Sequence, residues 1–207
     1  MKIGLIGDSH SQITFPILRD RLAKDGHEIV EMVSNAGWSE DTYLSNPYEI
    51  YRITDKKPDV VVVALGGNNQ KLSNDVYEYI VNALLNRLGF FDGTKIIWIS
   101  PAYAKNIDVN RRHDWTTEWL LSNHERFVVI DSRPYTQENH RDDGVHFTKK
   151  GYDQWIDGIY PKILDAIQTK NVLYKVKQNL PLYTISVSTL VLLFTLWRKY
   201  GYSRKNH

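Results

Sequence analysis

An α/β fold, a five-stranded parallel sheet with helices on both faces, is what the sequence predicts, and three observations point to it. Five short apolar runs alternate with stretches of helical spacing across residues 1–169. One of these runs, Val60-Val61-Val62-Val63-Ala64-Leu65, has no polar alternation, which marks a central strand buried on both faces. A chain of 207 residues, 42% hydrophobic and 24% charged, is ample for one such domain and too short for two full-sized ones. Regular alternation of strand and helix then implies βαβ units with right-handed crossovers.

Taken in order, Lys2–Ile6 is strand-like, and Ile13–Lys24 has helical spacing through Ile13, Ile17, Leu18 and Leu22. Glu28–Val33 forms a second strand, followed by a loop, Asn35-Ala36-Gly37-Trp38-Ser39, and a short helix over Tyr48–Asp55. The valine run is the third strand. Ser73 or Asn74 can cap a helix running to about Leu88, with Val76, Ile80, Ala83, Leu84 and Leu88 on one stripe. Lys95–Ser100 is a fourth strand ended by Pro101, Asn110–Asn123 a helix, and Phe127–Asp131 a fifth strand. A polar loop, Arg133–Asp143, leads to a last long helix over Lys149–Thr169. This arrangement is similar to flavodoxin-like folds.

Composition excludes several classes. The formal charge of +2 is close to balanced, with no concentrated basic face of the kind that binds nucleic acid. With no cysteine, disulfides, thiolate metal sites and cysteine nucleophiles are excluded. His113, Asp114 and His140 lack a recognisable metal-ligand spacing, so no metal is expected. The N-terminal apolar run reaches Asp8 too soon for a signal-peptide core.

The C-terminus reads differently. Residues 170–179 form a basic connector, and Leu180–Trp197 then runs for 18 residues without a charge before the basic tail 198–207. As a helix, that run would rise about 27 Å, close to the roughly 30 Å of a bilayer's hydrocarbon. Tyr183 and Trp197 lie near its ends, where interfacial aromatics belong. A single C-terminal transmembrane helix is the expectation, with a buried core element as the other reading. Lys170, Lys175 and Lys177 on one side balance Arg198, Lys199, Arg204 and Lys205 on the other, so charge sets no orientation.

Ligands of open α/β sheets bind beyond the carboxyl ends of the strands, so the residues in those loops matter most. Gly7-Asp8-Ser9-His10 follows the first strand, the Gly37 loop the second, and Gly66-Gly67-Asn68-Asn69 the third. Asp143-Gly144-Val145-His146 precedes the last helix. Acyl transfer needs such a set. A serine hydroxyl is a weak nucleophile until a base takes its proton, and His146 is the candidate base for Ser9. Asp143, three residues away, can hold the imidazole in one tautomer, a spacing Asp142 lacks. The oxyanion needs preorganised donors, which the Ser9 and Gly37 backbone N–H groups and the Asn68 side chain can supply.

These residues resemble the SGNH, or GDSL-type, hydrolases. Gly7-Asp8-Ser9 looks like the first block of that family, Gly37 like the second-block glycine, Gly66-Gly67-Asn68 like the GxN of the third, and Asp143-x-x-His146 like the DxxH of the fifth. The resemblance spans residues 3–150 and implies esterase, lipase, thioesterase or carbohydrate deacetylase activity without metal or organic cofactor. Two positions depart from the pattern: His10 stands where a leucine is usual, and Asn69 where an aspartate is usual. His10, Asp8 and Asn69 are expected to shape the site. Trp38, Tyr43, Tyr48 and Tyr103 can stack on substrate at the rim or pack inward.

The expectation is a membrane-anchored serine esterase acting on O-acetyl or lipid esters of an envelope component, in a cell-envelope or virion membrane. The other expectation is a degenerate SGNH scaffold serving as a membrane-bound structural or binding protein, suggested by the two altered blocks.

Overall fold

A computed structural model describes residues 1–69, 73–123 and 127–169. The connector 170–179, the expected transmembrane helix 180–197 and the tail 198–207 lie outside the described residues. Among the described residues no helix is long and apolar enough to cross a membrane.

The five strands are β1 (Lys2–Gly7), β2 (Glu28–Ser34), β3 (Val60–Ala64), β4 (Lys95–Ile99) and β5 (Val128–Ile130), all parallel, in the order β2-β1-β3-β4-β5. Helices α1 (Ser11–Lys24), α2 (Glu40–Ser45), α3 (Pro47–Thr54), α4 (Asn74–Arg87), α5 (Ile107–Ser122) and α6 (Lys149–Gln168) join them. The sheet is built outward from β1, first to β2 on one side and then to β3 on the other. The connections leaving β1 and β3 therefore diverge, and this opens a crevice at their carboxyl ends.

The valine run behaves as its pattern requires. Val60, Val61, Val62 and Val63 are all fully buried. Val60 and Val62 join the core with Phe15, Leu18, Trp155 and Ile159, against α1 and α6. Val61 and Val63 join the other core with Ile50, Ile53, Tyr77, Leu84 and Leu120, against α3, α4 and α5. Each such side chain removed from water contributes on the order of 1.5–3 kcal/mol, which makes the central strand a fixed base for the loops above it.

Several boundaries differ from the expected ones. A short helix that the sequence does not mark, α2, has Ser39 at its N-cap position, and the helix expected over Tyr48–Asp55 follows it as α3, Pro47–Thr54, opened by Pro47. Pro fits there because its fixed φ suits a first helical turn and its missing N–H would have no partner. Helix α1 begins at Ser11 rather than Ile13, and α5 at Ile107 rather than Asn110. In α5 the Asn106 side chain accepts the N–H groups of Asp108 and Val109, so the cap lies before the apolar stripe begins. Strand β5 is the shorter Val128–Ile130.

Candidate active site

The turn after β1 is held from three directions. The Tyr43 hydroxyl donates to the Gly7 carbonyl at 2.6 Å, and the Asn35 N–H donates to the same oxygen at 3.2 Å. The Asp8 carboxylate accepts the His10 N–H at 3.0 Å, closing the turn on which Ser9 stands. The Ser9 N–H has no acceptor among the described residues, and neither has that of Gly37. Gly37 sits at φ 75°, a left-handed conformation that costs a glycine little.

Ser9 Oγ lies 3.1 Å from Nε2 of His146, which comes from the loop before α6. The other ring nitrogen, Nδ1, is 2.8 Å from Asp143 Oδ2. Oδ1 of Asp143 accepts the backbone N–H groups of Val145 and His146, each at 2.8 Å. Desolvation works to raise the Asp143 pKa, but these hydrogen bonds outweigh it and hold the carboxyl down to about 2. It is thus ionised when it meets His146. The partner of His146 is Asp143 and not Asp142, as the three-residue spacing requires.

The loop itself is pinned. Arg141 donates its N–H to the His146 carbonyl at 2.7 Å, and Lys105 donates to Gly144 at 2.7 Å.

His10 points inward. It is buried at 8% exposure, with Nδ1 at 3.2 Å from the Tyr152 hydroxyl and its ring 5.0 Å from that of His146. Burial pushes its pKa down to about 3, with the neighbouring His146 adding to the effect. His10 is therefore a neutral packing and hydrogen-bonding group beside the His146 ring. His113, weighed above only as a metal ligand, is buried on α5 with Nδ1 at 2.6 Å from the Ala102 carbonyl.

The turn after β3 carries the two asparagines. Asn68 donates one side-chain N–H to the Trp38 carbonyl at 3.0 Å, which joins the third-strand turn to the Gly37 loop. Asn69 is buried and donates to Glu40, whose second oxygen accepts the Tyr77 hydroxyl at 2.9 Å. Burial lifts Glu40 to about 7, and it lifts Asp8 to about 7 as well, with the like charge of Glu40 contributing there. Glu40 was not legible in the sequence, since nothing marks one acidic residue at the start of a six-residue helix. Its carboxylate lies against the Asn69 amide, at the position where the family pattern usually has an aspartate.

Of the rim aromatics, Tyr43 is core, while Trp38 is half-buried and edge-on to it at 4.9 Å. Tyr103 is half-buried, and Tyr48 is 71% exposed on α3.

Four strand-end loops thus bring Ser9, His146 and Asp143 into one hydrogen-bonded line, with the Gly37 loop and Asn68 joined beside it. Solved structures share this fold. The chain is similar to the crystal structure of TesA at 16% identity, covering 80% of this chain and 99% of that one with a TM-score of 0.65. It is similar to a GDSL-like lipase from Bacteroides thetaiotaomicron at 16% identity, 80% and 88% coverage and a TM-score of 0.61. It is also similar to an acetyl xylan esterase from Geobacillus stearothermophilus at 16% identity, 78% and 94% coverage and a TM-score of 0.62. No protein-family model and no curated protein sequence matches it. The fold is that of the SGNH hydrolases.

Proposed function

We propose that this chain is a serine esterase, with Ser9 as nucleophile, His146 as general base and Asp143 as the group that orients the base. The observation that carries the reading is the unbroken line of hydrogen bonds from Ser9 Oγ through both nitrogens of His146 to Asp143, at 3.1 and 2.8 Å. As Oγ attacks an ester carbonyl, Nε2 of neutral His146 takes its proton, while Nδ1 keeps its own on Asp143. The carbonyl oxygen becomes an anion, and the Ser9 N–H, the Gly37 N–H and the second N–H of the Asn68 amide are the donors proposed to meet it. The imidazolium returns its proton to the leaving oxygen, and the alcohol departs from an acyl-Ser9. Water, deprotonated by His146, then releases the acid and restores Ser9.

For substrate, the proposal is an O-acetylated carbohydrate or a lipid ester. The likeness to an acetyl xylan esterase supports the first, as do aromatic rings at the rim on which a sugar can stack. The uncharged run 180–197 supports an enzyme tethered to a cell-envelope or virion membrane and working on an ester there.

A fluorophosphonate probe tests the reading. Labelling of the folded protein that disappears in Ser9→Ala is the expected result. No labelling, under conditions that label other serine hydrolases, would leave the degenerate scaffold as the function.

A further inference from the structure

The asparagines of the turn after β3 reach back to one short segment. Asn68 bonds the carbonyl of Trp38, and Asn69 bonds the carboxylate of Glu40 two residues further on. Together they form a two-point clamp between residues 68–69 and 38–40. Each arm carries one of the proposed oxyanion donors, Asn68 on one side and Gly37, next to Trp38, on the other. The clamp therefore sets the separation of two groups that must converge on a single atom.

Glu40 is the anchor of this clamp. It has no exposed surface. It cannot touch an ester directly. Its two oxygens are occupied by Asn69 and by the Tyr77 hydroxyl from α4, the pairing that a buried carboxylate requires. Oδ1 of Asn69 is buried with no partner among the described residues, so the amide is oriented through its N–H side, by Glu40 and by the Tyr77 hydroxyl that Glu40 also holds. Two donors converge on Glu40, and both need an acceptor. The carboxylate supplies both.

We propose that Glu40 is a positioning residue for the ester's oxyanion, fixing through Asn69 the turn from which Asn68 presents its amide. The inference rests on the esterase reading above.

The test is an exchange of the pair in the full-length chain, followed by kcat and KM for p-nitrophenyl acetate. Asn69→Asp sets a second carboxyl against Glu40. It is expected to lower kcat by about tenfold to a hundredfold, with KM within about twofold, because a displaced donor is lost to the transition state more than to the ground state. Adding Glu40→Gln to Asn69→Asp lets the amide and the carboxyl change places while Tyr77 keeps an acceptor. This double variant is expected to regain activity to within about threefold of wild type, as complementary pairing is restored. A double variant no better than Asn69→Asp overturns the proposal. So does an Asn69→Asp protein whose melting temperature falls while the kcat of its folded fraction is unchanged. If Asn69→Asp does not fold, the Asn68 side-chain amide resonance in Glu40→Gln, read by NMR, reports the same link. A displaced resonance supports the clamp, and an unmoved one overturns it. That measurement needs no turnover, so the two failures are distinguishable: an inactive wild type overturns the esterase reading and the role of Glu40 with it, whereas an active wild type with an unmoved Asn68 resonance overturns the role of Glu40 alone.

Discussion

Ser9 Oγ stands 3.1 Å from His146 Nε2, and the two residues reach each other across 137 positions of sequence. The contact exists because β1 and the loop before α6 both end at the same rim of the sheet. If it is the proton path, removing either end should remove nearly all turnover. Ser9→Ala and His146→Ala are each expected to lower kcat by about 10⁴-fold or more, and the two together by no more than either alone, since the residues act as a unit. Steady-state kinetics on a small activated ester checks both statements.

Asp143 should matter less than its partners. Its side chain is 49% exposed, so water can replace part of what it gives the imidazole. Replacing a buried aspartate in such a triad costs about 10⁴ in kcat. Asp143→Asn is expected to cost less, about 10²–10³, with the loss entirely in kcat. A loss as large as that of His146→Ala would mean that Asp143 does more than orient the ring.

Asn68 offers a separate measurement. Its amide already spends one N–H on Trp38, which leaves the other for substrate. Asn68→Ala removes both the donor and half of the clamp, and is expected to lower kcat by about 10²–10³-fold with little change in KM. Asn68→Asp keeps the shape and removes the donor, so it should be as damaging. Near wild-type kcat in Asn68→Asp would exclude the amide from the oxyanion site.

These residues could be read from the sequence because each is tied to its neighbours by local geometry. Ser9 and Asn68 follow strand ends, which are marked by apolar runs stopping at glycine or polar residues, and the Asp143/His146 pair stands just before the start of α6. The three-residue spacing of Asp143 and His146 lets one carboxylate take the Val145 and His146 N–H groups and the ring together. Glu40 and Tyr152 have no such local mark. Glu40 meets Asn69 across 29 residues, and Tyr152 meets His10 across 142, so only the folded sheet brings them together. Helix α2 was missed for a related reason. Six residues with two apolar side chains are too few to show a period.

The uncharged run 180–197 leads to a prediction about partitioning. If it anchors the chain, the full-length protein should enter the detergent phase on phase separation, and a chain ending at residue 179 should stay in the aqueous phase. The shortened chain should keep its fluorophosphonate labelling, because Ser9, His146 and Asp143 all precede it. Equal aqueous partitioning of the two forms would remove the membrane from the proposal while leaving the esterase in place.

His10 makes stability depend on pH in a direction that can be worked out. Its ordinary value of 6.5 applies to the unfolded chain, whereas burial holds it at about 3 in the fold. Above 6.5 the ring is neutral in both states and costs nothing. As pH falls from 6.5 towards 3, the unfolded chain takes up a proton that the folded chain refuses, so stability is lost through that window, by up to about 1.4 kcal/mol per pH unit. The groups facing the ring are His146, His113 and His140, which add to the effect, and Asp143, which opposes it. His10→Leu removes this titration but takes the ring nitrogen from the buried Tyr152 hydroxyl, which keeps only its backbone bond to Phe147, a loss of about 1–3 kcal/mol at any pH. The variant should therefore be less stable than wild type at pH 8, and the gap should narrow or reverse towards pH 4.5. Denaturant midpoints across that range measure it directly. Contributions from Asp8, Glu40 and His113 are common to both proteins and cancel in the difference, so a gap that does not change with pH would show that His10 is not held neutral by its burial.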